Sequence, residues 1–143
     1  MLVDKADMDF SIRTCDNAFQ DPVSMRPYYI NLLDKLSLCS AFIVAEAMEV
    51  YGYAALYTND TKEHVAYLSL IAIEKGHQGM GVGSALLGAC EDIAIDSGMK
   101  SMRLEVRKDN HNAISFYGRH GFMIDKDVCS TSSYYMEKDL MNV

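Results

Sequence analysis

The run Gln78-Gly79-Met80-Gly81-Val82-Gly83-Ser84 carries the spacing most suggestive of chemistry. Three glycines let a main chain approach an anion closely. A helix beginning there adds unpaired N–H groups and a positive dipole end. An apolar stretch (65–73) precedes the run and a helical pattern (84–97) follows it, so it reads as a strand–turn–helix corner built to receive phosphate. Two familiar phosphate loops do not fit. A P-loop requires Lys and then Ser or Thr after its last glycine, whereas Gly83 is followed by Ser84 and Ala85. In G-x-G-x-x-G the third glycine falls on Ser84 or on Leu86, depending on where counting starts. The pattern that remains is Q-x-x-G-x-G, filled by Gln78, Gly81 and Gly83.

A second patch, Asn110-x-x-Ala113-x-x-Phe116-Tyr117-x-x-x-Gly121-Phe122, follows Leu104-Glu105-Val106-Arg107. With both patches in this order, the segment from Val65 to Phe122 resembles the GNAT superfamily of acyl-CoA-dependent N-acetyltransferases. The N-terminal third adds no weight to the resemblance. It implies an α/β chain of mixed (α+β) type, a central mixed sheet with flanking helices, and direct acetyl transfer from acetyl-CoA to an amine in a ternary complex. It also implies that Gln78, Gly79, Met80, Gly81, Val82, Gly83 and Ser84 hold the coenzyme. Leu70, Ile71, Ala72 and Ile73 would line its arm and supply oxyanion donors from a bulge.

The same resemblance makes Tyr117 the acid that protonates the departing thiolate. A phenol near its ordinary pKa of about 10 keeps its proton at neutral pH. The competing reading makes Tyr117 a core aromatic of its helix. Glu105 matches a base used by some relatives. It could equally sit in an ion-paired row with Arg103 and Arg107 on its strand face, which would make it a poor base. Asn110 matches a residue that bonds the pantetheine arm, or else caps a helix. Met80 stands where a Lys or Arg is common; Lys75 is a candidate substitute cation, the competing reading being a simply solvated lysine. Tyr51, Tyr53 and Tyr57 share a strand face by period two, with Tyr67 on the neighbouring strand. They could stack on an acceptor, but packing beneath a helix is the favoured reading.

The elements that must position these groups follow from periodicity. Strands are expected at 9–16, 41–47, 51–58, 64–73, 101–107, 122–126 and 133–139. Helices are expected after Pro27, over 84–97, and around Ala113–His120, with Gly98 and Gly121 as C-terminal stops. One domain spans all 143 residues.

Composition narrows the partners. Half the residues are apolar, and no run approaches the ~18 needed for a membrane span. No signal peptide is visible, which points to the cytoplasm. Cys15, Cys39, Cys90 and Cys129 are widely spaced and expected to be reduced. The histidines show no zinc spacing, so no metal is expected. A net charge of −7 argues against nucleic acid. The expected partner is a small-molecule amine, an amino sugar or amino-acid derivative, and at most a second copy of the chain as a homodimer. A protein terminal amine or lysine is the second reading, and a non-catalytic CoA-binding sensor the third.

Overall fold

A computed structural model describes residues 4–141. Its elements are α1 (Lys5–Thr14), α2 (Tyr29–Leu36), β1 (Ala41–Glu46), β2 (Val50–Tyr57), β3 (Val65–Ile73), α3 (Val82–Asp96), β4 (Ser101–Arg107), α4 (His111–Arg119), β5 (Met123–Cys129) and β6 (Ser133–Asp139). The strands form one six-stranded sheet in the order β1-β2-β3-β4-β6-β5. Every neighbouring pair is antiparallel except β3 and β4. A parallel pair needs a crossover, and α3 supplies it.

The strand expected over 9–16 is absent. Its residues belong mostly to α1, a helix capped by Asp4, whose side chain accepts from the Asp7 N–H at 2.8 Å. Met8, Ser11, Ile12 and Cys15 are buried, a spacing of three and four that fits a helix and not a strand. Phe10, which suggested alternation, is 64% exposed. Elsewhere the expected strands and helices are found, with ends shifted by a few residues; α3 starts inside the glycine run, at Val82.

Two cores sandwich the sheet. On one face α3 and α4 pack on β2, β3, β4 and β6 through Leu56, Leu68, Leu87, Met102, Leu104 and Tyr117. On the other, α1 and α2 cover β1 to β3 through Ile12, Leu36, Phe42, Tyr53 and Ala72. Such layering buries one face of each helix against the sheet.

Two irregularities open the sheet where the glycine run begins. Leu56 pairs with Leu68 and Ala55 with Leu70, leaving Ser69 as an extra residue in β3. This β-bulge inverts the facing of the strand: Ala66 and Leu68 join the α3 core, whereas Leu70 and Ala72 turn to the α1–α2 side. The second irregularity is that β3 and β4 pair only from Val65↔Ser101 to Leu68↔Leu104. Beyond that the strands part.

Cys15, Cys39 and Cys90 are unbridged. Burial pushes the Cys15 thiol up to about 11 and the Cys90 thiol up to about 12. The thiolate is the reactive species, so iodoacetamide at about pH 8 should label Cys15 and Cys90 at least 100-fold faster in the unfolded chain, read by peptide mass spectrometry. Equal labelling in the native state would contradict these packed positions.

Candidate active site

The parting of β3 from β4 opens into a cavity of about 520 Å³. Ile71, Ala72 and Ile73 form its strand wall, Gln78, Gly79, Gly81, Gly83 and Ser84 its glycine wall, and Asn110 and Tyr117 its α4 wall. Thus most of the coenzyme-binding residues expected from the sequence converge on one space. Leu70, Met80 and Val82 do not line it. Leu70 packs into the α1–α2 core, Val82 packs against the α3 core, and Met80 is 68% exposed.

The glycine wall is shaped by backbone conformation. Gly79 and Gly81 lie at φ +80° and +82°, a region that glycine occupies without strain. A Cβ on either would meet nothing within 4 Å, so their surfaces face open space. The first bond of α3 runs from Ala85 N to Gly81 O at 3.0 Å, so the N–H groups of its first turn have no partner within the helix. A row of unpaired donors at a helix N-terminus is a receptor for an anion. Gln78 braces the corner, its side-chain amide donating to Ile73 O at 3.2 Å.

A side-chain network ties this corner to the α1–α2 connection. Asn17 donates to Glu74 Oε1 at 3.0 Å and accepts from the Lys75 N–H at 2.9 Å. Glu74 also accepts from the Gly76 N–H at 2.8 Å and faces His77 Nδ1 at 2.7 Å. These bonds, that from Asn17 first, hold the Glu74 carboxyl below its usual range. The network brings Ala18 and Phe19 to the cavity wall, a contribution the sequence gave no sign of. Arg119, also unforeseen, lines the cavity and supplies a cation, whereas Lys75 does not line it.

Tyr117 is buried, 8% exposed, with edge-on contacts to Phe116 and Phe122 at 5.4 and 5.7 Å between centroids. Its hydroxyl has no hydrogen-bond partner among the described residues, although the ring lines the cavity. Burial, with Cys90 nearby, pushes the phenol well above its usual value, so it keeps its proton at any physiological pH. Tyr117 is thus a core aromatic whose ring also faces the cavity.

Asn110 caps α4, its Oδ1 accepting from the Ala113 N–H at 3.2 Å. The cap engages one lone pair of the oxygen and leaves the side-chain nitrogen available to a ligand in the cavity. Glu105 lies outside the cavity lining, on the face of β4 opposite Leu104 and Val106. The ion-paired row is not formed. Arg103 pairs with Asp125 at 3.0 Å and Glu137 at 3.1 Å, and Arg107 with Asp109 at 3.2 Å. The exposed Glu105 instead accepts from the Tyr135 hydroxyl at 3.4 Å.

The tyrosines of β2 make packing contacts, and Tyr57 together with Tyr67 also lines a second, smaller cavity. Tyr53 is fully buried and stacks on Phe42 at 5.4 Å, Tyr51 stacks on His77 at 4.1 Å, and Tyr57 donates to Lys35 O at 3.0 Å beneath α2. No group of three or more His, Cys, Asp or Glu side chains placed to hold a metal occurs among the described residues. No helix among them is long and apolar enough to cross a membrane.

A mixed six-stranded sheet split beside a glycine-lined helix start defines the acyl-CoA N-acyltransferase fold class. The model of the Acetyltransferase (GNAT) family matches residues 10–122, and the chain belongs to that family. It is 29% identical over 94 residues to the uncharacterized N-acetyltransferase YobR of Bacillus subtilis strain 168, covering 66% of this chain and 37% of that protein. It is 38% identical over 56 residues to N-alpha-acetyltransferase 30 of Schizosaccharomyces pombe, covering 39% of this chain and 37% of that one. In each case the match spans little more than a third of the relative. The crystal structure of the PaiA N-acetyltransferase from Thermoplasma acidophilum in complex with coenzyme A superposes with a TM-score of 0.79 at 21% identity, covering 97% of this chain and 96% of that one. At that identity the likeness establishes the fold.

Proposed function

We propose that the protein is an acetyl-CoA-dependent N-acetyltransferase that acts on a primary amine by direct transfer. The observation that carries this reading is the continuity of the glycine-walled N-terminus of α3 with a strand cleft walled at its other side by Tyr117. Bound acetyl-CoA would supply an activated thioester carbonyl. Residues 79–84 would hold its diphosphate through backbone dipoles, which suits a chain of net charge −7. The open edge of β3 beyond Ser69 would bond the amide arm, and donors at the bulge would face the carbonyl oxygen as charge develops there.

Tyr117 would hold a proton and deliver it to the departing sulfur. Glu105, not neutralised by arginine, would take the proton from the attacking ammonium, directly or through water. Glu105→Gln is expected to lower kcat by about 100-fold while leaving acetyl-CoA affinity unchanged, measured by thiol release and by calorimetry. An unaffected kcat would remove Glu105 from the mechanism.

A small-molecule amine is the first choice of acceptor. A protein terminal amine is the second reading, favoured by the likeness to N-alpha-acetyltransferase 30. Thiol release measured across amino sugars, amino-acid derivatives and short peptides with free N-termini separates these. Binding of acetyl-CoA without turnover on any of them would favour a sensor over an enzyme. The unbridged thiols support a reducing, cytoplasmic setting.

A further inference from the structure

Ser84 Oγ lies 2.9 Å from His120 Nε2, and His120 Nδ1 lies 2.8 Å from Phe116 O. A carbonyl oxygen only accepts, so Nδ1 carries hydrogen in both charge states of the ring. The Phe116 ring, 4.5 Å away between centroids, packs beside the imidazole. Nε2 is then the one ring nitrogen whose proton comes and goes. In the neutral ring Nε2 accepts the Ser84 O–H, and the serine turns lone pairs toward the cavity it lines. In the imidazolium Nε2–H donates to Ser84 Oγ, and the serine hydrogen is released toward that cavity. An anion resting on the first turn of α3 meets a donor in the second state and lone pairs in the first.

Charged groups on the neighbouring elements include an ion pair and one cation whose side chain bonds only a neutral hydroxyl. On α3 and β6, Glu91 is bonded to Lys138, whose Nζ would lie 3.8 Å from a Cβ placed on Gly121. On α4, Arg119 donates to Ser115 Oγ at 3.0 Å. At the glycine corner, His77 sits between Glu74 and Glu49, at 2.7 and 3.2 Å. Met80, exposed in the glycine run, brings no charge of its own.

We propose that His120, acting through Ser84, is a proton-dependent contact for the coenzyme's diphosphate, so that binding takes up a proton at His120. The inference rests on the reading that residues 78–84 hold that diphosphate. Histidine is the side chain suited to such a switch, since its charge changes across the physiological range. By linkage, a proton bound more tightly in the complex makes affinity rise as pH falls.

The probe is 3′-dephospho-coenzyme A, which lacks the phosphomonoester whose own ionisation near pH 6 would mask the effect. Its affinity is measured by calorimetry at several pH values, in buffers of different ionisation heat. The dissociation constant should rise about tenfold from about pH 6 to about pH 8, with fractional proton uptake at about pH 7. Nitrogen-15 spectra should show the His120 ring moving toward imidazolium values when the probe is added. His120→Gln keeps an amide donor for Ser84 and should lose the pH dependence while retaining tight binding at the alkaline end. Ser84→Ala should also lose the pH dependence, and His77→Gln should keep it. Circular dichroism confirms that each variant is folded. Binding with a dissociation constant flat within about twofold, or a slope that survives in His120→Gln, overturns this inference alone. Absence of any binding overturns the coenzyme reading as well.

Discussion

Tyr117→Phe should lower turnover by about 100-fold or more, with the affinity for acetyl-CoA changed by less than about twofold. The substitution removes one oxygen and keeps the ring. The edge-on contacts with Phe116 and Phe122 survive, and so does most of the apolar burial. The lost hydroxyl has no partner among the described residues, so its removal leaves no orphan behind; stability should be level or slightly improved. What disappears is a proton held at the cavity wall beside the proposed sulfur position. Burial keeps that proton in place far into the alkaline range, so the wild-type rate should show no loss assignable to this phenol up to about pH 9. Steady-state kinetics over pH, with calorimetry for coenzyme affinity, check both statements. Unchanged turnover would reduce Tyr117 to its core role.

Gly52→Ala should produce the largest loss of stability from one added carbon. Gly52 sits in β2 between Ala45 of β1 and Ile73 of β3. A Cβ there would lie 2.7 Å from Ala72 O, 3.0 Å from Ile73 Cδ1 and 3.1 Å from Leu86 Cδ1. The first of these is backbone and cannot rotate away. Relief requires β2 and β3 to part, at about 2–3 kcal/mol and roughly 8 °C in Tm. Ala72 and Ile73 also wall the cavity, so coenzyme affinity should fall with it. Gly88→Ala is the contrast: it lies in α3 with nothing within 4 Å of the added carbon. It should raise stability by about 0.5–1 kcal/mol, because glycine is a poor helix interior residue. Thermal denaturation of the pair in parallel tests the assignment, and similar melting temperatures for both would contradict the close approach at Gly52.

The glycine corner and α4 were legible because their signals are local. Three glycines, a strand before and a helix after fix the loop, and the stripe Ala113, Phe116, Tyr117 fixes the α4 face. Residues 9–16 were misread because a short segment with Phe10, Ile12 and Thr14 satisfies a period of two as easily as a helical one. The burial of Met8, Ser11 and Cys15 that decides the matter comes from tertiary packing. The alternative of an ion-paired row around Glu105 failed for a related reason. Period two put Arg103 and Arg107 on its face, but their partners Asp125, Glu137 and Asp109 come from two later strands and from the turn that follows β4. Asn17, Phe19 and Gly52 carry no motif at all. An isolated glycine within a strand does hint at a close backbone approach, and that was the one available sign.

The short pairing of β3 with β4 has a mechanical meaning. With registered pairs only from Val65 to Leu68, the sheet is two ribbons joined along a brief seam at one end. Tension between β1–β3 and β4–β6 concentrates in that seam and in the α3 crossover. A chain-like ligand laid in the notch would therefore act as a missing strand, closing the zipper that the polypeptide leaves half done.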